Sequence, residues 1–415
     1  MKINVSIIDL VLSLSEAVDS ASPTVENHHK QVATVSYYIS KQLGLSFQKQ
    51  KEIVIAGGLH DIGALSVSDK IKALKFDFED SINGHSEKGY MFLKTYKPFL
   101  NIANYVRYHH VPWNNGKCEG VNSEEVPLES HLLNLADRIS VLINPNKNIL
   151  TQVDYIREKI SKYSGSIFTP ELVEAFIELS KKESFWLDIR SNSLEYILKN
   201  NLNCENDLSN EEFSELIKLF SRIIDFRSEF TATHSSGVAS TAEAIAKIKG
   251  FTEDGCNTIK MSGYVHDLGK LAVPAEILEK HGKLTKEEYN IIRIHPYYTD
   301  KILKKVKNFD TIRKWGALHH ERLDGNGYPF HLKGDQISTG SRIMAAADVF
   351  VALEEDRPYK SGLKYSKVME IMNDMTPNAL DKDIVKLIKD NYDIINNSRI
   401  AAQNAADEEY HNFIG

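Results

Sequence analysis

A series of histidines and aspartates runs through this chain twice, in the same order, and no other feature limits its fold as sharply. In the second half it reads His234, His266-Asp267, His295, His319-His320 and Asp348; in the first half it reads His29 (or His28), His60-Asp61, His85, His109-His110 and Asp137. Corresponding positions differ by 205, 206, 210, 210 and 211, a slowly rising series that a few short insertions explain. The surroundings repeat as well. GGLHDIGALSV (57–67) parallels GYVHDLGKLAV (263–273), NLADRI parallels AAADVF around the two late aspartates, and FTPELV (168–173) parallels LDKDIV (380–385). A chain of 415 residues can bury two cores, and the repeat predicts two domains, 1–200 and 201–415, divided in the polar stretch KNNLNCENDLSNEE (199–212).

Apolar residues recur at three- and four-residue spacings in VATVSYYISKQLGL, ELVEAFIELSKK and EEFSELIKLFSRIIDF, the pattern of amphipathic helices, while strand-like alternation is scarce. The expected fold class is all-α: two tandem helical bundles joined by a helical linker, each holding its His/Asp set between helices. Hydrophobic residues make up 42% of the chain and charged residues 26%, the range of soluble globular proteins. Asp9 and Glu16 break the apolar character of the N-terminus, and no apolar run reaches membrane-spanning length, so a cytoplasmic location off the membrane is expected. A net charge of −7 argues against a basic surface for DNA or RNA polymers, so any phosphate ligand must be met by a local cluster of cations. Cys118, Cys204 and Cys256 form no CxxC pair and read as free thiols.

Imidazole and carboxylate suit divalent transition ions, and separated positions on different helices can converge inside a bundle. A single histidine of this kind is more often a hydrogen-bonded core residue; seven in a fixed order, duplicated, point to metal. A carboxylate can bridge two ions that together activate water and neutralise a phosphodiester. Asp267 fits the bridge, with His266 on one ion; His295, His319 and His320 would complete one shell, and His234 and Asp348 the other. Lys270, one turn after His266, is expected to reach the same cavity and stabilise negative charge, so Lys270 and Asp267 are the catalytic candidates. In the loop DGNGYPFHLKGD (324–335), Asp324, Gly325, Gly327, Tyr328 and Pro329 follow the ligand pair closely enough to reach a substrate. Arg322, Lys333, Arg342, Arg357 and Lys360 are candidate contacts to phosphate or a guanine edge.

With HDLGK (266–270), His295-Pro296, HHERLDGNGYP (319–329) and RIMAAADVFVAL followed by RPYK (342–360), the second half resembles an HD-GYP domain of the HD phosphohydrolase superfamily over roughly residues 225–395. The resemblance implies an all-helical domain that binds two or three iron, manganese or similar ions and hydrolyses cyclic di-GMP or a related cyclic dinucleotide to a linear one. Its implied ligands are His234, His266, Asp267, His295, His319, His320 and Asp348, the set read from the repeat. Some members place a glutamate one turn before the first histidine to support a third ion. That position is Phe230 here, with Glu229 out of phase, so two ions are expected.

The first half keeps a second candidate metal site, His29, His60, Asp61, His85, His109, His110 and Asp137, but Ala64 replaces Lys270, HHVPWNNGKCEG replaces the glycine loop, and INPNK lacks the arginine of RPYK. It resembles an HD domain without the GYP motif, which implies a regulatory partner or a secondary phosphohydrolase of the 5′-nucleotidase kind acting on the linear product. The alternatives for the whole chain are a catalytically idle cyclic dinucleotide sensor, or a nucleotidase acting on mononucleotides. Cyclic di-GMP stands first as substrate, 3′,3′-cGAMP close behind because tandem HD plus HD-GYP proteins resemble bacterial enzymes that degrade it, and cyclic di-AMP last. The sequence also leaves room for a homodimer.

Overall fold

A computed structural model describes residues 2–20, 27–64, 83–118, 120, 124–191, 193–202, 205–226, 232–280, 282–355 and 362–414. The chain forms two compact units, one of Ser6–Asn206 and one of Asp207–Gly415 together with Met1–Val5. The first five residues, assigned by sequence to the N-terminal domain, thus cluster with the C-terminal unit. Strand β1 (Lys2–Ser6) pairs there with β2 (Glu205–Ser209) in a two-stranded sheet, and β2 is the extended segment at the boundary where the sequence suggests a helical linker. Everything else that is regular among the described residues is helical, and no described helix is long and apolar enough to cross a membrane.

In the N-terminal unit the α-helices are α1 (Ile7–Ser20), α2 (His28–Gln42), α3 (Phe47–Leu59), α4 (Asn83–Leu93), α5 (Leu100–Arg107), α6 (Leu128–Val141), α7 (Val153–Lys162), α8 (Pro170–Ser180), α9 (Glu183–Arg190) and α10 (Leu194–Asn201). The C-terminal unit has α11 (Asn210–Asp225), α12 (His234–Ile248), α13 (Glu253–Val265), α14 (Ala275–Leu278), α15 (Lys286–Ile292), α16 (His295–Lys304), α17 (Asp310–Ala317), α18 (Thr339–Glu354), α19 (Tyr365–Asp374), α20 (Lys382–Asp390) and α21 (Tyr392–Ile414). In each unit one helix is central: α2 packs on α3 and α6, and α12 packs on α13, α18 and α21.

The repeat extends to the signals that start and stop helices. Ser46 caps α3 by accepting from the Lys49 amide at 3.3 Å, and Thr252, the matching residue, caps α13 by accepting from the Gly255 amide at 3.2 Å; each such cap contributes about 1 kcal/mol. Apolar side chains of the paired helices make the cores. Val32, Val35, Ile39, Ile53, Leu132 and Ile139 are fully buried in the first unit, and Val238, Ile245, Ile259, Ile343, Phe350 and Ile384 are buried in the second. Both His-Asp turns press on the next ligand-bearing helix. A Cβ added to Gly63 would lie 2.1 Å from the His85 carbonyl oxygen, and one added to Gly269 would lie 1.9 Å from that of His295.

Candidate metal centres

Five elements bring the C-terminal candidate ligands together. His234 opens α12, His266 and Asp267 follow α13, His295 opens α16, His319 and His320 lie in the turn after α17, and Asp348 projects from α18. The two oxygens of Asp267 divide between two groups of imidazoles. Oδ2 is 3.2 Å from His266 Nε2 and 4.0 Å from His234 Nε2, while Oδ1 is 3.3 Å from His295 Nε2 and 4.0 Å from His319 Nε2. Asp348 Oδ1 closes the first lobe at 3.2 Å from His234 Nε2, and His320 joins His295 and His319 in the second.

The imidazoles are aimed from behind. His266, His295 and His319 each donate Nδ1–H to the carbonyl three residues earlier, at 2.7, 2.7 and 2.6 Å, which turns every Nε2 inward. His234 donates instead to Glu355 at 3.0 Å, and Gln403 of α21 donates to the same carboxylate at 2.7 Å. Such outer partners fix the tautomer and raise ligand basicity.

The electrostatics fit divalent cations. Burial, with smaller help from neighbouring imidazoles, pushes His295 and His320 down to about 3 and His319 well below its usual range, so all three are neutral donors. His234 behaves oppositely: burial alone would lower it, but Glu355 and Asp348 outweigh burial and raise it well above the usual range, and Asp267 and Asp348 raise His266 in the same way. In the metal-free protein protons occupy the place of positive charge, and ligation must release them. His266 Nε2 is buried and faces the Asp267 and Asp348 carboxylates, at 3.2 and 3.9 Å.

Lys270 donates to Asp267 Oδ2 at 2.6 Å. Burial opposes its charge, but Asp267 outweighs burial and raises its pKa, so it stays an ammonium. The glycine loop returns over the second lobe. Gly325 adopts φ +82°, and a Cβ on Gly327 would meet the Arg322 amide nitrogen at 2.4 Å. Tyr328, which precedes Pro329, lies against His320 with ring centroids 4.8 Å apart. The buried Glu321 carboxylate ties the loop down by accepting from the Phe330 and Leu332 amides at 2.7 and 2.9 Å.

The expected substrate cations fare differently. Arg322 is paired with Asp324 through two contacts of 3.1 and 2.7 Å, and the Lys333 amide bonds Gln336. Arg342 donates to the carbonyls of Ile337 and Gly334 and to Asp381, the cap of α20. Arg357, Lys360, Glu229 and Phe230 lie outside the described residues.

Sequence reasoning passed over three residues. Glu355 lies seven positions after Asp348, two helical turns on, a spacing that could have revealed it. Arg293 places its guanidinium 4.6 Å from the centre of the Tyr328 ring, and its buried Nε has no hydrogen-bond partner. Arg138 becomes conspicuous only when NLADRI is laid over AAADVF.

The N-terminal unit builds a second cluster on the same plan, with one correction. His28, not His29, joins His60 and Asp137, its Nε2 3.3 Å from Asp137 Oδ1 and 3.3 Å from His60 Nε2. His29 turns to Asp19, as Ser235 turns to Asp225 at 2.8 Å, so the true offset for the first histidine is 206 and His29 matches Ser235. Asp61 bridges again, Oδ2 3.4 Å from His60 Nε2 and Oδ1 3.1 Å from His85 Nε2, with His110 Nε2 3.0 Å from His85 Nε2.

An HD domain model matches residues 25–142 and a second HD domain model matches residues 218–384. The 3′3′-cGAMP-specific phosphodiesterase 1 of Vibrio cholerae serotype O1 is 30% identical over 395 residues, covering 93% of this chain and 91% of the relative. The cyclic di-GMP phosphodiesterase response regulator RpfG of Xanthomonas campestris pv. campestris is 38% identical over 173 residues, 41% of this chain and 45% of the relative. The crystal structure of a cyclic GMP-AMP specific phosphodiesterase of V. cholerae (V-cGAP3) superposes with a TM-score of 0.65 at 22% identity, covering 95% of this chain and 98% of that one, and shares its fold. Two HD domains, two clusters of buried imidazoles around a bridging aspartate, and similarity running nearly end to end place the chain in the HD-GYP family of metal-dependent cyclic dinucleotide phosphodiesterases.

Proposed function

We propose that the chain opens a cyclic dinucleotide, 3′,3′-cGAMP ahead of cyclic di-GMP, to the linear dinucleotide, and that the C-terminal domain does the hydrolysis on two iron or manganese ions. The observation that carries the hydrolytic reading is Asp267, whose two oxygens each serve a separate lobe of imidazoles beside a protonated Lys270. Bound in those lobes, divalent ions would lower the pKa of water and neutralise the phosphodiester. The order of substrates rests on similarity. The relative that spans both units is named for 3′3′-cGAMP, whereas the cyclic di-GMP relative matches less than half of the chain.

The chain's own residues supply the rest. Lys270 holds a positive charge at the bridge and stabilises charge building on the phosphate or the departing ribose oxygen. Held at its ordinary charge by Asp267, it acts as an electrostatic donor and not as a base. Tyr328 and Arg293 offer a ring and a cation at the edge of the second lobe, suited to a base or a phosphate. The N-terminal domain, without counterparts of Lys270 or of the glycine loop, acts as a regulatory partner; its retained donors favour, as a second reading, hydrolysis of the linear product. We place the enzyme in the cytoplasm, acting on a diffusible substrate.

The test is a product-resolved assay of 3′,3′-cGAMP, cyclic di-GMP and cyclic di-AMP, in manganese and in anaerobic ferrous iron. The linear product should form fastest from 3′,3′-cGAMP and vanish in His319→Ala. Fully metal-loaded protein that leaves all three rings intact would sink the reading, and release of phosphate from the linear product would favour the second activity.

A further inference from the structure

Among the described arginines of the C-terminal unit, Arg222, Arg313, Arg322, Arg342 and Arg399 each pair with a carboxylate. Arg293 does not: its Nε is buried without a hydrogen-bond partner, and among the described residues its guanidinium meets no acceptor. What it touches is aromatic. The guanidinium carbon lies 4.6 Å from the centre of the Tyr328 ring and 6.0 Å from that of Tyr289, four residues back on α15. Ring faces hold a cation by charge–quadrupole attraction but leave its N–H edges unanswered. Arg293 stands two residues before His295, and the Tyr328 ring is 4.8 Å from that of His320, so these edges border the second lobe.

The repeat separates this arginine from what both units share. At the offset of 210 that relates His295 to His85, Arg293 falls on Asn83, in the unit that also lacks Lys270 and the glycine loop. The cation thus accompanies the substrate-handling residues and not the common His/Asp set. A cyclic dinucleotide could answer it with a phosphate or with a base edge. Aromatic faces carry the negative part of the ring quadrupole, which disfavours a phosphate alongside and suits a flat base. Tyr289 and Phe330 are 48% and 41% exposed, apolar surface that a base can cover. The guanine N7/O6 edge offers two acceptors to a fork made only of donors, whereas the matching edge of adenine sets a donor beside its one acceptor.

We propose that Arg293, held against Tyr328, is a specificity-determining residue that reads the N7/O6 edge of a guanine in the substrate. The inference rests on the cyclic dinucleotide reading above and narrows it to rings that contain guanine.

The experiment measures equilibrium binding to the manganese-loaded full chain carrying His319→Ala, so that turnover does not consume the ligand. It compares 3′,3′-cGAMP with its analogue containing 7-deazaguanine, which lacks the N7 acceptor, a comparison that needs no change at Arg293. The analogue should bind about tenfold more weakly. Adding Arg293→Ala should weaken 3′,3′-cGAMP about tenfold or more, remove its advantage over the analogue and leave cyclic di-AMP unaffected. Arg293→Lys keeps the charge but not the fork and should behave like Arg293→Ala. Equal binding of natural and deaza ligands, an equal loss for cyclic di-AMP, rescue by lysine, or no binding of 3′,3′-cGAMP overturns the inference. Turnover by the wild-type chain is read separately: a chain that discriminates guanine while opening no ring keeps this inference and loses the hydrolytic reading.

Discussion

At the scale of single residues, Glu355 shows how a side chain outside the candidate ligand set can orient one of its members. Its carboxylate receives the Nδ1–H of His234 and is itself held by Gln403, so the Nε2 of His234 faces Asp348 in one orientation. Glu355→Gln should weaken metal retention about 10- to 100-fold, read by competition with a chelator, while the circular dichroism of the metal-free protein stays unchanged. An unaltered affinity would make the contact incidental. The histidines and aspartates that converge, and their order, were legible in the sequence because they repeat. The choice between His28 and His29 was not, because adjacent helical residues point about 100° apart and both of these are buried. Only the packing against Asp19 separates them. The intramolecular partners of Arg322 and Arg342 were not legible for a related reason: guanidinium groups bind carboxylate and backbone oxygen as readily as phosphate, and the sequence does not show Asp324 and Asp381 waiting nearby.

At the scale of elements, the three- and four-residue apolar spacing located α2, α8 and α11 because each buries one face against a neighbour. The strands were not legible: KINVS and ENDLS are five residues each, and the second carries too little apolar alternation to betray its pairing. The His-Asp turn is the element on which both lobes depend. Its amide at Gly269 donates to the Thr299 hydroxyl at 2.9 Å, which in turn donates to the His266 carbonyl at 3.0 Å. Gly269→Ala would drive a methyl group onto the His295 carbonyl, so α16 must move. We expect a loss of at least about 1–3 kcal/mol, typical of overpacking, measured as a lower urea midpoint for the metal-free protein, together with loss of C-terminal metal. Wild-type stability in that variant would show the approach to be looser than 1.9 Å implies.

At the scale of the whole molecule, the repeat foretold two domains, but an internal comparison has no view of chain ends that have no counterpart. Residues 2–6 are such an end: they complete a sheet with β2 and bury Val5 fully. Removing residues 2–5 should therefore lower the melting temperature of the C-terminal unit, followed by its own metal loss, although about 200 residues separate the deletion from that unit in sequence. An unchanged transition would mean the sheet adds nothing. The same pairing makes the N-terminal unit an insertion whose two ends are tied by hydrogen bonds, much as a cross-link ties a long loop. Closing a loop of that length costs roughly 5 kcal/mol of chain entropy, so while the short sheet persists, an unravelled N-terminal unit remains a tethered ring with fewer ways to be disordered.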